Sequence, residues 1–193
     1  ENGKIKSPQK ENNTPNRKIF SIYGQSKLLG TNFLLFLNKK YNFPVTILRL
    51  YLIYGPYQDP NRVIPITILN SILNKKFDCS DGKQSRDFLY IDDLVDGIIK
   101  ILTKKNNLSG EIINLGSGKP TKIKKIIKNV TNLVGSGRPM FGKIRFRKDE
   151  INKLYPNIKK AKKLINWEPK TDLNLGLKKT ILFYKKNKFL FKV

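Results

Sequence analysis

A run of apolar and β-branched residues from Val45 to Tyr51 limits the folds open to this chain more than any other feature. Pro44 precedes the run and Gly55-Pro56 follows it, so the pattern predicts a short buried strand. Directly before the run, apolar residues recur at helical spacing between residues 21 and 40, which predicts a helix. A helix that leads into a buried strand is typical of an α/β sheet whose faces are covered.

The rest of the chain continues to alternate between helical and extended patterns. Further helices are predicted at about 64–73, 94–102, 123–134, 158–165 and 173–186, and further strands at about 77–80, 86–91 and 111–115. Asp92 or Asp93 is expected to cap the helix that follows it, and Thr121 is expected to cap the next one. Residues 1–18 are polar, with two prolines, and are expected to form a surface loop.

The histidine and cysteine content excludes several classes of site. The chain has no histidine, which excludes Ser-His-Asp triads and the commonest zinc sites, and Cys79 alone cannot replace them. A single cysteine also excludes an internal disulfide, and the polar N-terminal stretch carries no secretory signal. No apolar run reaches the roughly 18 residues that span a membrane. We therefore expect a cytoplasmic protein with no bound metal and no membrane partner.

The formal net charge of +25 raises the alternative that the chain is a basic nucleic-acid-binding protein. Seven of the 39 basic residues are arginine, and lysine, asparagine and isoleucine are all abundant, as in proteins from AT-rich genomes. The lysines are also spread along the chain. A nucleic-acid-binding protein would need a clustered basic face with stacking aromatic side chains, so no nucleic-acid partner is expected.

Tyr23 and Lys27 are four positions apart in the first predicted helix, so their side chains lie on one face. A free tyrosine is a poor acid–base group near neutral pH, but an ammonium group fixed nearby favours the phenolate form. Such a pair can move a proton at a sugar hydroxyl while a hydride moves to or from a nicotinamide. The alternative is an ordinary pair on a solvated helix, which is common. The apolar helix and buried strand that follow the pair favour the catalytic interpretation.

A series of sequence blocks, in a fixed order, resembles the extended short-chain dehydrogenase/reductase family. Tyr23 to Lys27 resembles its Tyr-x-x-x-Lys motif, and Leu48 to Pro56 resembles the strand and loop that follow the catalytic helix. The most distinctive block runs from Asp81 to Asp93 and is close to the family pattern Gly-x-Gln-x-Arg-Asp-Phe-x-Tyr-Val-x-Asp. The other similar blocks are residues 61–65, 114–120, 147–150 and 160–170. The resemblance extends from about residue 21 to 187.

The resemblance implies the C-terminal part of an NAD(P)-dependent nucleotide-sugar epimerase or dehydratase. The implied fold is α/β: the last elements of a doubly wound, Rossmann-type sheet plus a small mixed α/β domain that binds the nucleotide sugar. The implied division is a surface loop at 1–20, the remainder of the dinucleotide-binding domain at 21–60, and the nucleotide-sugar domain at 61–193. Strand 111–115 would return to the main sheet. The cofactor would be NAD or NADP, and the substrate a nucleotide sugar.

The resemblance also implies roles for individual residues. Tyr23 would be the acid/base, and Lys27 would hold the nicotinamide ribose and act on Tyr23 electrostatically. Arg86 would hold the nucleotide diphosphate, for which a planar guanidinium is well suited. The other implied substrate-binding residues are Arg62 for the nucleotide, Phe77 and Cys79 for the base, and Arg147 with Glu150 for phosphate and ribose. The alternative to a substrate-binding role, for each arginine, is an ordinary salt bridge at the protein surface.

Family members usually dimerise through the catalytic helix, so the resemblance implies a homodimer. The apolar stripe of that helix can serve a dimer interface or the core of the protein; its residues are Leu28, Leu29, Phe33 and Phe36.

Three departures from the family pattern affect the expected activity. Leu52 stands where the family usually has an asparagine that meets the sugar nucleotide, and no Ser or Thr precedes Tyr23 by about two dozen residues. Gly116-Ser117-Gly118 lacks the third glycine of a dinucleotide fingerprint, because position 121 is threonine, and we expect a tight turn there. With no fingerprint of this kind, the chain is expected to be inactive alone and to bind NAD(P) more weakly than about 1 mM.

Overall fold

The computed structural model describes residues 7–12, 22–104, 108–145 and 150–187. Helices and strands are interspersed along these residues, as the sequence predicts. The helices are α1 (Ile22–Tyr41), α2 (Val63–Ile72), α3 (Ile91–Leu102), α4 (Ile123–Val134), α5 (Lys159–Ile165) and α6 (Leu173–Lys186). The strands are β1 (Ile47–Leu50), β2 (Leu52–Tyr54), β3 (Lys76–Asp78), β4 (Ser85–Tyr90), β5 (Ile112–Leu115), β6 (Pro120–Lys122), β7 (Arg138–Met140) and β8 (Lys153–Leu154).

The strand predicted at 45–51 corresponds to β1, and a second short strand that was not predicted, β2, follows it with a different partner. Strand β1 pairs with β5 in parallel, and β2 pairs with β4 in parallel. The prediction of a buried strand is wrong for β1, whose residues are half-buried apart from Leu50, which is 48% exposed. The physical reason is that β1 has a neighbour on one edge only among the described residues, so its side chains have less to pack against.

Strand β4 is the centre of the architecture that positions the candidate site. It pairs in parallel with β2 and β8 and antiparallel with β6. Phe88 and Tyr90 point into a core formed with α2, α4 and α6, whereas Leu89 points into a second core against α3, α5 and β5. The alternation of side chains along a strand explains why β4 lies between two cores and why its second half is buried.

The largest fully buried side chain, that of Trp167, lies in the second core. Its indole N–H donates to the backbone oxygen of Asp93 at 3.0 Å, so the polar end of the ring is satisfied. Gly97 on α3 faces the ring, and a Cβ at that position would lie 3.0 Å from the indole nitrogen. The segment that contains Trp167 is therefore held against α3 by close packing.

Two predicted helix caps are wrong. Helix α3 begins one residue after Tyr90, and Asp93 lies inside it, where its carboxylate accepts from the backbone N–H groups of Lys170 and Thr171. Thr121 belongs to β6 and pairs with Arg86, so it cannot cap α4. The first N–H groups of α4 donate instead to backbone oxygens of the turn before β4. In both cases, tertiary contacts replace the local cap.

Helix α1 has no buried side chain among the described residues. Asn38 ties it to the rest of the protein, because its Nδ2 donates to the Phe43 oxygen at 2.8 Å and to Ser109 Oγ at 2.7 Å. Leu29 and Phe33 are 68% and 60% exposed, so the described residues leave most of the apolar stripe uncovered.

No helix within the described ranges is long and apolar enough to cross a membrane. Those ranges also contain no group of three or more His, Cys, Asp or Glu side chains that could hold a metal ion.

Candidate active site

A cleft of about 420 Å³ opens over one face of the β2–β4 pair. Leu52 on β2 lies opposite Phe88 on β4, and Gln84 and Arg86 share a face with Phe88 because alternate residues of a strand point the same way. The start of α2 forms another wall, which includes Arg62. The cleft therefore combines an apolar floor with guanidinium and amide groups, as ligand-binding sites usually do.

Three of the residues implied by the family resemblance line this cleft. Arg62, Arg86 and Glu150 come from separate segments of the chain, and the fold brings them to one place. Arg86 and Glu150 form an ion pair, and the side chains are only 12% and 22% exposed. Arg86 Nη1 also donates to the backbone oxygens of Ser85 at 2.8 Å and Ile151 at 2.6 Å. Arg86 therefore links the segment after Glu150 to β4 by hydrogen bonds. Strand β8, which follows in this segment, pairs with β4 in parallel.

Arg147, to which the family resemblance assigns phosphate and ribose contacts together with Glu150, lies outside the described residues. Arg145 lines the cleft, and the sequence interpretation gave it no role. The one available signal was that Arg145 lies two positions before Arg147 in the sequence. Ser80 and Gln84 also line the cleft without having been singled out.

Phe77 and Cys79 do not line the cleft. Phe77 packs against the first core, and Cys79 is 6% exposed within it. Burial, and secondarily the charge of Asp78, raises the pKa of the Cys79 thiol above its usual value of 9.0, so the thiol stays protonated at neutral pH. Ser80, the next residue, does face the cleft, so this segment contacts it at one end.

Tyr23 and Lys27 lie on α1 and are not among the cleft-lining residues. The Lys27 ammonium nitrogen is 5.4 Å from the centroid of the Tyr23 ring, so the helix does bring the two groups together. Tyr23 is 73% exposed. The pair is therefore formed and accessible, although neither residue lines the cleft.

Tyr54 is a cleft-lining tyrosine that could be mistaken for an acid–base group. Burial is the main cause that raises its pKa well above the usual 10.0, with smaller contributions from Tyr90 and Asp93. Its hydroxyl lies 3.4 Å from the Leu173 backbone oxygen and donates to it. Tyr54 thus remains a protonated core residue, which makes it a poor candidate for proton transfer.

The turn at Gly116-Ser117-Gly118 is held by the buried carboxylate of Asp87. The carboxylate accepts from the backbone N–H groups of Ser117 at 2.7 Å and Lys119 at 3.2 Å. It also accepts from the Ser117 hydroxyl at 2.8 Å, and Gly118 has a φ of +71°, which favours glycine. The predicted tight turn is confirmed, and because Asp87 uses its N–H groups, they are not free to bind a cofactor phosphate.

The sequence profile of the NAD dependent epimerase/dehydratase family matches residues 2–116, which is more than half of the chain. The chain belongs to this family. A UDP-glucuronate 4-epimerase from Thermodesulfobacterium geofontis is 37% identical over 157 residues, covering 79% of this chain and 46% of that protein. The dTDP-D-glucose 4,6-dehydratase of Homo sapiens is 31% identical over 173 residues, covering 86% of this chain and 48% of that protein. The chain thus spans about half the length of these epimerase/dehydratase relatives.

Solved structures of epimerase/dehydratase family members share the fold. The UDP-glucuronic acid 4-epimerase from Bacillus cereus, crystallised with UDP-glucuronic acid and NAD, superposes with a TM-score of 0.87 at 30% identity. The match covers 96% of this chain and 58% of that one. The similarity confirms both the predicted α/β fold class and the resemblance stated from the sequence blocks.

Proposed function

We propose that this protein takes part in the NAD-dependent epimerisation, dehydration or reduction of a nucleotide sugar, with the nucleotide part of the substrate held in the cleft. The observation that carries the proposal is the meeting of Arg62, Arg86 and Glu150 in one cleft. The sequence separates these residues widely, and a surface salt-bridge role for each would not require a shared location. Guanidinium groups beside an apolar floor suit a ligand with a charged diphosphate and a planar base.

The catalytic part of the proposal concerns Tyr23 and Lys27. The Tyr23 hydroxyl would exchange a proton with a sugar hydroxyl, and the Lys27 ammonium would favour the phenolate form of Tyr23. Their spacing on α1 and the 5.4 Å separation support this pairing, and the exposure of Tyr23 leaves its hydroxyl accessible to a ligand.

The described residues fit the cofactor at one end only. Lys27 is suited to hold the nicotinamide ribose, next to Tyr23. NAD, when bound, would accept a hydride from the sugar and usually return it. The glycine-containing turn at 116–118 is not suited to the cofactor pyrophosphate, because Asp87 already accepts hydrogen bonds from its N–H groups. The proposal therefore assigns cofactor contacts in this chain to the Tyr23–Lys27 face alone.

The same proposal includes a homodimer and a cytoplasmic location. Leu29, Phe33 and Phe36 form an exposed apolar stripe on α1, and the burial of such a stripe against a second copy would stabilise a dimer. The reduced, buried thiol of Cys79 is compatible with a reducing compartment.

Direct measurement of ligand binding tests the proposed substrate class. UDP-glucose, UDP-glucuronic acid and dTDP-glucose are titrated into the 193-residue chain by calorimetry, with glucose 1-phosphate as a control that lacks the nucleoside and one phosphate. We expect saturable binding of at least one nucleotide sugar, and at least tenfold weaker binding of glucose 1-phosphate, a difference of about 1.4 kcal/mol. Equal binding of all four ligands, or binding of none, would remove the basis for the proposal.

A further inference from the structure

Helix α6 has two apolar sides, one in the core and one facing solvent. Leu177, Ile181 and Tyr184 are buried in the first core. Leu175 and Leu182 are seven positions apart, so they lie on the same side of the helix, and they are 45% and 54% exposed. The core needs only the first of these sides. The exposed leucines therefore form an apolar strip along α6 that the packing of the described residues does not explain.

Lysines flank this apolar strip on both sides. Lys178 and Lys185 each lie three positions after one of the two exposed leucines, and Lys179 and Lys186 each lie four positions after one. Positions three and four apart lie on either side of a residue on a helix surface, so each pair of lysines follows one flank of the strip. All four lysines are exposed. The solvent face of α6 thus combines an aliphatic centre with basic margins.

Most of the positive charge on this face is uncompensated. Lys179 lies 3.7 Å from the Asp92 carboxylate, in a pair whose side chains are 48% and 65% exposed, so the pair is weak. In the part of the chain that the structure describes, no carboxylate forms an ion pair with the other three lysines. Asp172 caps the start of the helix, and no Asp or Glu follows it in the sequence.

The neighbouring helix α4 extends the basic surface. A shallow groove of about 260 Å³ between the two helices is lined by Lys178 and by asparagine side chains of both helices, and Asn129 Nδ2 donates to Asn174 Oδ1 at 3.4 Å. Lys125 and Lys128 are exposed, and each lies one turn before an asparagine of this groove. From the start of β6 to the end of β7 the sequence contains no acidic residue. Ammonium and amide N–H groups can donate to phosphate oxygens, so the groove suits a phosphate group.

We propose that the solvent face of α6 binds the surface of a membrane that contains anionic phospholipids. The face consists of Leu175, Lys178, Lys179, Leu182, Lys185 and Lys186. The leucines enter the boundary between headgroups and acyl chains, and the lysines extend to the headgroup phosphates. The contact is peripheral, since the helix lies on the membrane and does not cross it. It departs from the expectation of no membrane partner, which considered only membrane-spanning runs, and it does not depend on the proposed function.

The composition of the α6 face favours a lipid surface over a nucleic acid. Surfaces that bind single-stranded nucleic acid combine basic groups with a series of stacking aromatic rings. The α6 face has no arginine, and its centre is aliphatic. Tyr57 is 77% exposed and lies at the edge of the face, with its ring centroid 4.6 Å from that of Phe183. A tyrosine beside an apolar strip suits the interface of a membrane, where one end of the ring is apolar and the other is hydrated.

Vesicle sedimentation with the 193-residue chain tests this proposal. The vesicles contain phosphatidylglycerol and phosphatidylcholine in equal amounts, or phosphatidylcholine alone, and we expect at least tenfold tighter binding to the anionic vesicles at low salt. The double variant Lys178→Gln/Lys185→Gln should weaken that binding by about tenfold or more, because each lysine near an anionic surface contributes to it. The matched control is Lys159→Gln/Lys163→Gln, which removes two exposed lysines from α5, in the other core, and should change binding less than about threefold.

A further variant separates a lipid surface from a general site for polyanions. Leu182→Gln keeps the size of an exposed side chain, so the melting temperature should not change, but vesicle binding should fall by about fivefold to tenfold because an apolar group leaves the membrane interface. Binding of a single-stranded DNA oligonucleotide, measured by fluorescence anisotropy, should be the same in Leu182→Gln as in the unaltered chain.

Three results would overturn the proposal. Equal binding of the unaltered chain to neutral and anionic vesicles would show that anionic lipid is not recognised. Equal effects of the α6 and α5 lysine variants would show that overall charge, and not this face, determines binding. Undiminished vesicle binding by Leu182→Gln, together with loss of oligonucleotide binding in Lys178→Gln/Lys185→Gln, would assign the face to a nucleic acid instead.

Discussion

The carboxylate of Asp93 accepts a hydrogen bond from the backbone N–H of Lys170 at 3.1 Å, although 77 positions separate the two residues. The same carboxylate accepts from Thr171 N–H at 3.0 Å, and the Asp93 backbone oxygen accepts from the Trp167 indole. One aspartate on α3 therefore organises the chain that leads into α6. Helix α6 packs against the core that lies beneath the cleft. The hydrogen bonds of Asp93 therefore stabilise the candidate site indirectly, through the position of α6.

Replacement of Asp93 tests how strongly this anchor stabilises the fold. Asp93→Ala leaves two backbone N–H groups without their acceptor, so the free energy of unfolding should fall by about 2–4 kcal/mol. Urea denaturation followed by circular dichroism measures the change. The neighbouring Asp92→Ala is the control, because Asp92 is 65% exposed and forms only a 3.7 Å surface pair with Lys179, so it should cost less than about 1 kcal/mol. Equal losses in the two variants would show that Asp93 is no anchor.

The pH dependence of stability tests the environment of Asp87. Burial is the largest influence and raises the pKa of this carboxyl from its ordinary 3.8, although hydrogen bonds from Ser117, Lys119 and Gly118 oppose the shift. A raised pKa means that the folded protein binds the proton more tightly than the unfolded chain. The resulting stabilisation is fully present below the unfolded pKa and is lost as the pH rises through the raised folded value.

Comparison with Asp87→Asn isolates this contribution, because asparagine does not titrate. The free energy of unfolding of the unaltered protein, minus that of the variant, should fall as the pH rises from about 3.8, the ordinary pKa of the group. Chemical denaturation at a series of pH values gives the difference. A difference that rises over this range would mean that the hydrogen bonds outweigh burial and hold the pKa of Asp87 low.

The catalytic proposal is tested by Tyr23→Phe in a preparation that turns over a nucleotide sugar. The variant keeps the ring and loses the proton carrier, so turnover should fall by roughly 10²–10⁴-fold while substrate affinity changes little. Steady-state kinetics separates the two effects. Tyr41→Phe serves as the control, since Tyr41 lies at the other end of the same helix. Retention of more than half of normal turnover by Tyr23→Phe would contradict the proton-transfer role.

The affinity for NAD⁺ and NADP⁺ tests how much of the cofactor site this chain provides. The 193 residues are expected to bind NAD⁺ and NADP⁺ more weakly than about 1 mM, since the described residues offer the Tyr23–Lys27 face but no free cradle for the pyrophosphate. Calorimetric titration with each dinucleotide measures the affinity. A micromolar dissociation constant would show that the chain holds the pyrophosphate by contacts other than a glycine-rich turn.

The sequence predicted helices accurately where a single periodic pattern of apolar residues determines them. Helix α6 was expected at 173–186 and occupies Leu173–Lys186, and α4 buries the apolar side that its 3.6-residue period marks. Errors arose where partners distant in sequence decide the outcome. Strand β2 was not predicted, because its separation from β1 depends on β4 and β5 being different neighbours, which no local pattern in the sequence reveals.

The candidate site was predictable only in part. Arg62, Arg86 and Glu150 could be named because each belongs to a sequence block that resembles the family. Arg145 belongs to none of these blocks, and its place in the cleft depends on how the chain after β7 runs past β4. The internal pairing of Arg86 with Glu150 was equally hidden, because two residues 64 positions apart meet through the docking of β8 on β4.

The most direct test of the account is to map where a nucleotide sugar binds. Amide chemical shifts of the isotope-labelled chain are followed during titration with UDP-glucose, UDP-glucuronic acid and dTDP-glucose. If the cleft binds a nucleotide sugar, saturable shifts are expected at the cleft-lining residues Gln84, Arg86, Arg62 and Arg145. Little change is expected on the solvent face of α4, which carries Lys125 and Lys128 but does not line the cleft. Shifts confined to that lysine-rich face, or no saturable shifts with any of the three ligands, would contradict the claim that the cleft binds a nucleotide sugar.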